Sequence, residues 1–191
     1  MPPKIDVTVV DVRPIPDSLV PTLGFNLEVR NTAGDQANSC SLLCDVFMKV
    51  TEAGEEREFF WGTIPIYVKD AIPAGQAIEC LGRLECTYDI ELSVNRYLSI
   101  IGDEIPLKLV FHGTHTWKTS SGIVTDIVKE YALPASRWKK MVLEYYKDIR
   151  WIAVRKDTLD DIKKIIDDRQ LHTHDEAIQA LMKESNKQAG R

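Results

Sequence analysis

Residues 22–30 read Thr-Leu-Gly-Phe-Asn-Leu-Glu-Val-Arg, in which apolar side chains occupy every second position from Leu23 to Val29. A β-strand points successive side chains to opposite faces, so this stretch predicts a strand with one buried and one solvent-facing side. The alternation returns at 40–50 and is clearest over 78–92, from Ile78 to Leu92. Further strands are predicted at 4–13, 57–68, 105–118 and 122–130.

Turn residues separate these strands. The segments 31–38 and 52–56 contain Asn-Thr-Ala-Gly-Asp and Glu-Ala-Gly-Glu-Glu, and Thr-Ser-Ser-Gly at 119–122 joins the last two strands. Most strands follow one another without a helical pattern between them. Seven or eight such strands predict an antiparallel β-sandwich over residues 1–130. Residues 93–101 leave room for one helical turn.

The periodicity becomes helical after residue 131. Trp138, Met141, Val142 and Tyr145 form an apolar stripe at helical spacing. Two further helices are predicted, one capped by Asp157 and one starting with a capping box of Thr173 and Glu176. A short extended segment is expected at 149–154. The sequence therefore predicts an α+β protein, in which a helical C-terminal appendage at 131–191 packs on the sandwich.

Composition places the chain among ordinary globular proteins. Of 191 residues, 44% are hydrophobic and 28% are charged, which excludes a disordered, collagen-like or coiled-coil chain. No apolar run approaches the roughly 18 residues of a membrane span. The first residues, Met-Pro-Pro-Lys-Ile-Asp, contain no apolar signal core, so a cytoplasmic location is expected.

Charge is distributed unevenly along the chain. Residues 1–130 carry 11 Lys+Arg and 19 Asp+Glu, a balance of -8, whereas residues 131–191 carry 13 and 10, a balance of +3. An acidic body is a poor partner for nucleic acid, because phosphate contacts by Lys and Arg supply most of that affinity. The basic C-terminal part interleaves bases with acids, as a solvated helix face does.

Four cysteines occur in two pairs, Cys40 with Cys44 and Cys80 with Cys86. Their spacings differ from the Cys-x2-Cys of zinc ribbons, and both members of each pair fall on the apolar face of a predicted strand. Core packing is the favoured interpretation, because a free cysteine behaves as a small buried hydrophobe. A disulfide and a metal site remain open as alternatives.

The histidines do not form a recognisable site. His112 and His115 are three residues apart on a predicted strand, hence on opposite faces, and His115 shares the parity of the inward residues. His172 and His174 flank a helix start. The sequence contains no Gly-x-Ser-x-Gly, no phosphate-binding loop and no dinucleotide fingerprint. We therefore predict no catalytic, cofactor-binding or metal-binding residue, no cofactor, and a protein that is not an enzyme.

Aromatic residues suggest where a protein partner could bind. Phe59, Phe60 and Trp61 are consecutive, so at least one must leave the core face of its strand, and Tyr145 is followed by Tyr146 on a helix. Exposed aromatic residues can anchor interfaces. The candidate partner surface comprises Trp138, Tyr145, Tyr146, Phe60 and Trp61. The alternative is that these residues cover the seam between helices and sheet.

Several short motifs resemble a known bacterial family. They are Glu-Cys-Thr-Tyr-Asp-Ile-Glu at 85–91, Pro-Leu at 106–107, Phe-His-Gly-Thr at 111–114, Leu-Pro at 133–134, Arg-Trp at 137–138, Tyr-Tyr at 145–146, Trp151, and Leu-His-Thr-His-Asp-Glu-Ala at 171–177. The family has no known function and is common in actinobacteria. Its genes often lie beside those of high-affinity nickel–iron hydrogenases and their maturation factors. The resemblance covers residues 85–175 well and 5–50 more loosely, and segment 52–80 is shorter than usual.

The resemblance transfers no site residues, but it implies an accessory role. The expected function is a non-enzymatic binding or assembly protein, associated with a nickel–iron hydrogenase or a similar redox complex. Its expected partner is a hydrogenase subunit or a maturation factor, without nucleic acid and without a membrane span. Two alternatives stay open: a protein that handles nickel, zinc or iron through Cys and His ligands, including His112 or His115, and a structural protein of a phage-like or secretion assembly.

Overall fold

The structure is a computed structural model that describes residues 4–16, 18–32, 34–147, 152 and 154–189. Seven strands and four helices follow one another along the described chain. The strands are β1 (Ile5–Pro14), β2 (Thr22–Asn31), β3 (Ser39–Glu52), β4 (Glu55–Val68), β5 (Ala77–Glu85), β6 (Glu104–Trp117) and β7 (Ser120–Pro134). The helices are α1 (Tyr88–Ile101), α2 (Ala135–Tyr146), α3 (Lys156–Arg169) and α4 (His174–Ala189).

The strands form two antiparallel sheets. One has the order β1-β2-β5 and the other the order β4-β3-β6-β7. The chain passes from one sheet to the other after β2, after β4 and through α1. This is the arrangement of a two-sheet sandwich with crossed connections. The predicted α+β class with an antiparallel sandwich is confirmed.

One hydrophobic core lies between the sheets. The side chains that alternation directs inward are buried, as in Phe25 and Leu27 of β2, Leu42 of β3 and Phe111 of β6. The sheets lie close together at Gly82 of β5, where a Cβ atom would lie 2.6 Å from Cγ2 of Ile64 of β4. Each strand therefore has one face that packs in the core and one face that points outward, and a binding site can form on the outward faces.

Residues 86–92 are the main departure from the predicted secondary structure. The alternation over 78–92 predicts one strand, but β5 ends at Glu85 and α1 begins at Tyr88. The buried residues of α1 are Ile90, Val94 and Tyr97, at i, i+4 and i+7, which is helical spacing. Asp89 and Glu91 lie in the first turn, where carboxylates favour a helix. The single turn expected at 93–101 is thus part of a helix of 14 residues.

The last strand is longer than its sequence pattern indicates. β7 continues to Pro134, and α2 begins at Ala135. Helix α2 belongs to the same compact unit as the sheets, which spans Met1–Ile149. Arg137 of α2 donates hydrogen bonds to the carboxylate of Asp11 and the carbonyl of Val12, both on β1. The guanidinium group holds the pKa of Asp11 below its ordinary value.

The second compact unit spans Arg150–Arg191 and contains α3 and α4. Arg169 of α3 forms two hydrogen bonds with the carboxylate of Glu184 of α4, at 2.7 and 3.1 Å. One half of the predicted capping box is present: Oγ1 of Thr173 accepts a hydrogen bond from the amide of Glu176. The carboxylate of Glu176 accepts its bond from the amide of His172, one residue before the cap. Asp157 lies in the first turn of α3 and is not its cap, because the helix begins after Arg155. Most of the segment 149–154, including Trp151, lies outside the described residues.

Candidate binding surface

The cysteines are thiols in or beside the core. Cys40, Cys44 and Cys86 are buried, and Cys80 is half-buried. Burial raises the pKa of Cys40, Cys44 and Cys86 to about 12 and that of Cys80 to about 11. A thiol that resists ionisation is a poor nucleophile and a poor metal ligand. The described residues include no group of three His, Cys, Asp or Glu that could hold a metal ion.

The two strand histidines have different surroundings. His115 points inward as predicted and is 5% exposed, but neither of its ring nitrogens has a hydrogen-bond partner. Its ring lies against Gly122 of β7, where a Cβ atom would be 2.4 Å from Cε1. Desolvation lowers the pKa of His115. His112 lies on the opposite face, with Nδ1 4.0 Å from a carboxylate oxygen of Asp45.

Three members of the predicted partner surface are buried, and two of them, Trp61 and Trp138, lie in the seam between α2 and the sandwich. Trp138 is 1% exposed, Trp61 is 5% exposed and Tyr146 is 8% exposed. The rings of Trp61 and Trp138 pack with their centroids 5.5 Å apart. Trp61 and Trp138 follow the seam alternative, and all three residues offer little surface to a partner.

The other two members are accessible. Phe60 of β4 is 57% exposed, and Tyr145 of α2 is 39% exposed. Tyr145 donates a hydrogen bond from its hydroxyl to the carbonyl of Leu19 in the β1–β2 loop. Phe60 packs on Phe47 of β3, with ring centroids 5.4 Å apart. Phe60 therefore belongs to a larger surface on its sheet, whereas Tyr145 is tied to a loop.

Exposed and half-buried apolar side chains lie among polar ones on the solvent side of the four-stranded sheet. We call this surface the outer sheet face. It comprises Leu43 and Phe47 of β3, Phe60, Pro65 and Tyr67 of β4, Val110 of β6, and Ile123 and Val128 of β7. Strand pairing joins its members: Leu43 lies opposite Pro65, and Val110 lies opposite Val128.

The exposure of this face is unusual for side chains of this kind. Ile123 is 80% exposed and Tyr67 is 67% exposed. Isolated apolar residues on a surface are common, but apolar pairs that recur across four strands mark an interaction site. The pairs here are Leu43 with Pro65, Phe47 with Phe60 and Val110 with Val128, and Ile123 stands apart from them beside Thr114. Because the side chains project from paired β-strands, their relative positions are held before any partner arrives, which lowers the entropic cost of binding.

Charged residues border the apolar members. Lys108 of β6 pairs with Glu58 of β4 at 2.9 Å. Lys49 of β3 lies between Glu130 of β7 at 3.1 Å and Glu56 of β4 at 3.2 Å. Hydrogen bonds to these two carboxylates raise the pKa of Lys49. At this end the face opens into a cleft of about 490 Å³, whose lining includes Ile100 and Pro106. We call it the end cleft.

Sequence reasoning identified Phe60 but missed the rest of this face. Leu43 interrupts the alternation of β3 on its polar side, and that interruption was a usable signal. Tyr67, Ile123 and Val128 gave no such signal. A single apolar residue on the outward face of one strand does not indicate a surface until the residues beside it on the neighbouring strands are known. The strand register supplies those neighbours.

Comparisons with known proteins identify a family and a few distant structural likenesses. A model of a family of unknown function (DUF6084) matches residues 53–190. No curated protein sequence matches the chain. The protein AT1g01470 from Arabidopsis thaliana is 16% identical, with 68% of this chain and 77% of that chain covered and a TM-score of 0.45. A protein from Archaeoglobus fulgidus is 12% identical, with 70% and 95% covered and a TM-score of 0.34. The sporulation control protein Spo0M from Bacillus subtilis is 9% identical, with 69% and 48% covered and a TM-score of 0.34.

Proposed function

This chain belongs to the DUF6084 family of unknown function, and we propose that it is a non-enzymatic binding module that holds a protein partner on its outer sheet face. The observation that carries the proposal is the group of apolar side chains on the outer side of four paired strands, in which Phe60 and Tyr67 of β4 are 57% and 67% exposed and Val128 of β7 is 54% exposed. A partner that covers them removes apolar surface from water, which favours association by about 25 cal/mol per Å² of surface.

We further propose that the partner belongs to a nickel–iron hydrogenase, a maturation factor or a similar redox complex. The gene neighbourhood implied by the sequence resemblance supports this assignment. A role in assembly also fits the chemistry of the described residues, since the buried thiols have raised pKa values and do not form a metal-binding group. The chain would then contribute a rigid surface to the complex.

Affinity purification from the native host, followed by mass spectrometry, tests both parts. The tagged wild-type chain is expected to recover hydrogenase subunits or maturation factors, and Phe60→Asp and Tyr67→Asp are expected to reduce that recovery at least tenfold. Leu92→Asp is the matched control, since Leu92 is also exposed, at 46%, but lies on α1. Far-UV circular dichroism and the unfolding midpoint of each variant establish that the fold is intact.

Other outcomes of this experiment would contradict the proposal. Recovery that is equal for the wild type, Phe60→Asp and Tyr67→Asp would exclude the outer sheet face as the binding surface. A partner unrelated to redox complexes would keep the binding role and remove the hydrogenase assignment. A chain that purifies alone with stoichiometric nickel, zinc or iron would favour metal handling.

A further inference from the structure

We infer that the segment bound by the outer sheet face is an amphipathic helix of a partner protein, with an apolar stripe flanked by Lys and Arg side chains. This inference rests on the proposed function and adds the chemistry of the partner to it. Three features of the face support it: the groups it offers, its dimensions and its charge.

Over its central strands the outer sheet face presents side chains and no unpaired backbone groups. The backbone groups of its two central strands, β3 and β6, pair with neighbouring strands on both sides. A segment that lies across this face finds no backbone partners there, so it must satisfy its own N–H and C=O groups. An α-helix does so internally, and a helix layered on a sheet face is a standard packing arrangement.

The dimensions of the apolar group fit one helix. Between Ser41, opposite Tyr67, and Phe47, opposite Phe60, the strand advances about 20 Å at roughly 3.3 Å per residue. A helix of about 13 residues covers that length at roughly 1.5 Å per residue. Four strands spaced about 4.8 Å apart offer a width close to the 10–12 Å diameter of a helix with its side chains, with margin for flanking residues.

The charge of the outer sheet face indicates which residues should flank the apolar stripe of the partner helix. Its ionisable side chains include the carboxylates of Asp45, Glu56, Glu58 and Glu130, but only the ammonium groups of Lys49 and Lys108. Lys49 serves both Glu56 and Glu130, so it neutralises only half of their charge. Glu130 is 73% exposed and Glu56 is 57% exposed. A Lys or Arg of the partner can therefore approach both carboxylates.

The end cleft provides a place for such a side chain. Glu56 and Glu130 line it together with the apolar side chains of Ile100 and Pro106. Lys and Arg bury their aliphatic stems against apolar surface while the charged head stays with carboxylates or water. The same acidic excess disfavours a second copy of this face as the occupant, because like charges would then be brought together.

Two synthetic helical peptides of about 14 residues test the inference. They share one Leu-rich stripe and differ only in their flanks, which are Lys and Arg in one peptide and Glu in the other. The full-length chain, labelled with ¹⁵N, is titrated with each. The basic peptide is expected to bind at least about tenfold more tightly, with shifts at the amides of Leu43, Phe60 and Val128, and to lose most of its affinity between 50 mM and 500 mM salt.

Variants separate the charge from the apolar contact. The double variant Glu56→Gln and Glu130→Gln is expected to weaken the basic peptide several-fold without changing the unfolding midpoint. Glu79→Gln, a carboxylate on β5 of the other sheet, is the control and should have no effect. Phe60→Asp is expected to abolish binding of both peptides.

Four outcomes would overturn the inference. Equal affinity for the two peptides would show that the partner helix needs no Lys or Arg flanks. Chemical-shift changes confined to other surfaces would show that the peptide does not bind at the outer sheet face. Concentration-dependent shifts at the outer sheet face of the free chain would identify a second copy as the occupant. If the native partner still depends on Phe60 while neither peptide binds, the helix inference fails and the proposed function stands.

Discussion

His115 is a titratable side chain that is buried without hydrogen-bond partners for its ring nitrogens. Its ring packs against the backbone of Gly122, and the register places Cys40 beside it on β3. Both ring nitrogens lack partners, so the neutral imidazole already costs the fold two unmade hydrogen bonds. A proton would add an uncompensated buried charge, which explains why burial lowers the pKa of His115.

Stability should therefore decrease as the solution is acidified. The unfolded chain binds a proton at His115 near pH 6.5, whereas the folded chain does so only at lower pH. The contribution of the neutral ring is complete above about pH 6.5 and is lost below it, at about 1.4 kcal/mol per pH unit until the folded pKa is reached. Urea unfolding at pH 7.5 and 5.5 measures this loss.

The variant His115→Leu is expected to remove most of that pH dependence. At pH 7.5 it should be as stable as the wild type or slightly more stable, because neither ring nitrogen makes a hydrogen bond. His112→Gln serves as the control, since His112 lies on the other face of the strand. A His115→Leu chain that loses stability between pH 7.5 and 5.5 as steeply as the wild type would refute this explanation.

Trp138 is the largest of the side chains that hold helix α2 against the sandwich. Trp138 is almost completely buried and packs on Trp61 of β4, while Arg137 in the same turn bonds to β1. Truncation of a buried aromatic side chain removes its transfer free energy and leaves a cavity. This position therefore matters more for the fold than for partner recognition.

We predict that Trp138→Ala destabilises the protein by about 3–5 kcal/mol. Leu143→Ala in the same helix should change the free energy of unfolding by no more than about 0.5 kcal/mol, because Leu143 is 58% exposed. Equilibrium unfolding in urea, monitored by far-UV circular dichroism because one variant lacks a tryptophan, compares the two variants. A loss below about 1 kcal/mol for Trp138→Ala would mean that α2 contributes little to the sandwich.

The molecule as a whole is organised around the central strands of two sheets. β3 and β6 have paired neighbours on both sides in the larger sheet, and β2 does in the smaller one. Their inward residues, such as Val46, Leu109 and Phe25, are fully buried. The outer strands of each sheet have one free edge, so local opening should begin there.

Amide hydrogen exchange should follow this order across the described strands. The amides in the middle of β2, β3 and β6 are expected to exchange only by global unfolding, whereas the solvent-side amides of β4 and β7 should exchange faster by at least about tenfold. Labelling of the native chain in D₂O, followed by quenching, peptic digestion and mass spectrometry of the peptides, measures this order. Equal protection of β3 and β4 would contradict the strand order described above.

The sequence by itself determined the strands and the direction of their side chains, because period-two alternation depends only on local backbone geometry. It correctly placed β2, β3 and β6 and the inward orientation of His115. It misassigned residues 86–92, since Tyr88, Ile90 and Leu92 continue the period-two pattern of β5, although Leu92 is exposed in the helix that forms. Only the packing of Ile90, Val94 and Tyr97 against the core decides for a helix.

The outer sheet face was decided by tertiary structure alone. Leu43 and Pro65 are 22 positions apart, and Ile123 is far from both in the chain, yet strand pairing gathers them on one surface. No local pattern reports that register, because each strand contributes only one to three members. The burial of Trp61 and Trp138 has the same cause: a side chain that looks available in its own helix or strand is covered by an element from elsewhere in the chain.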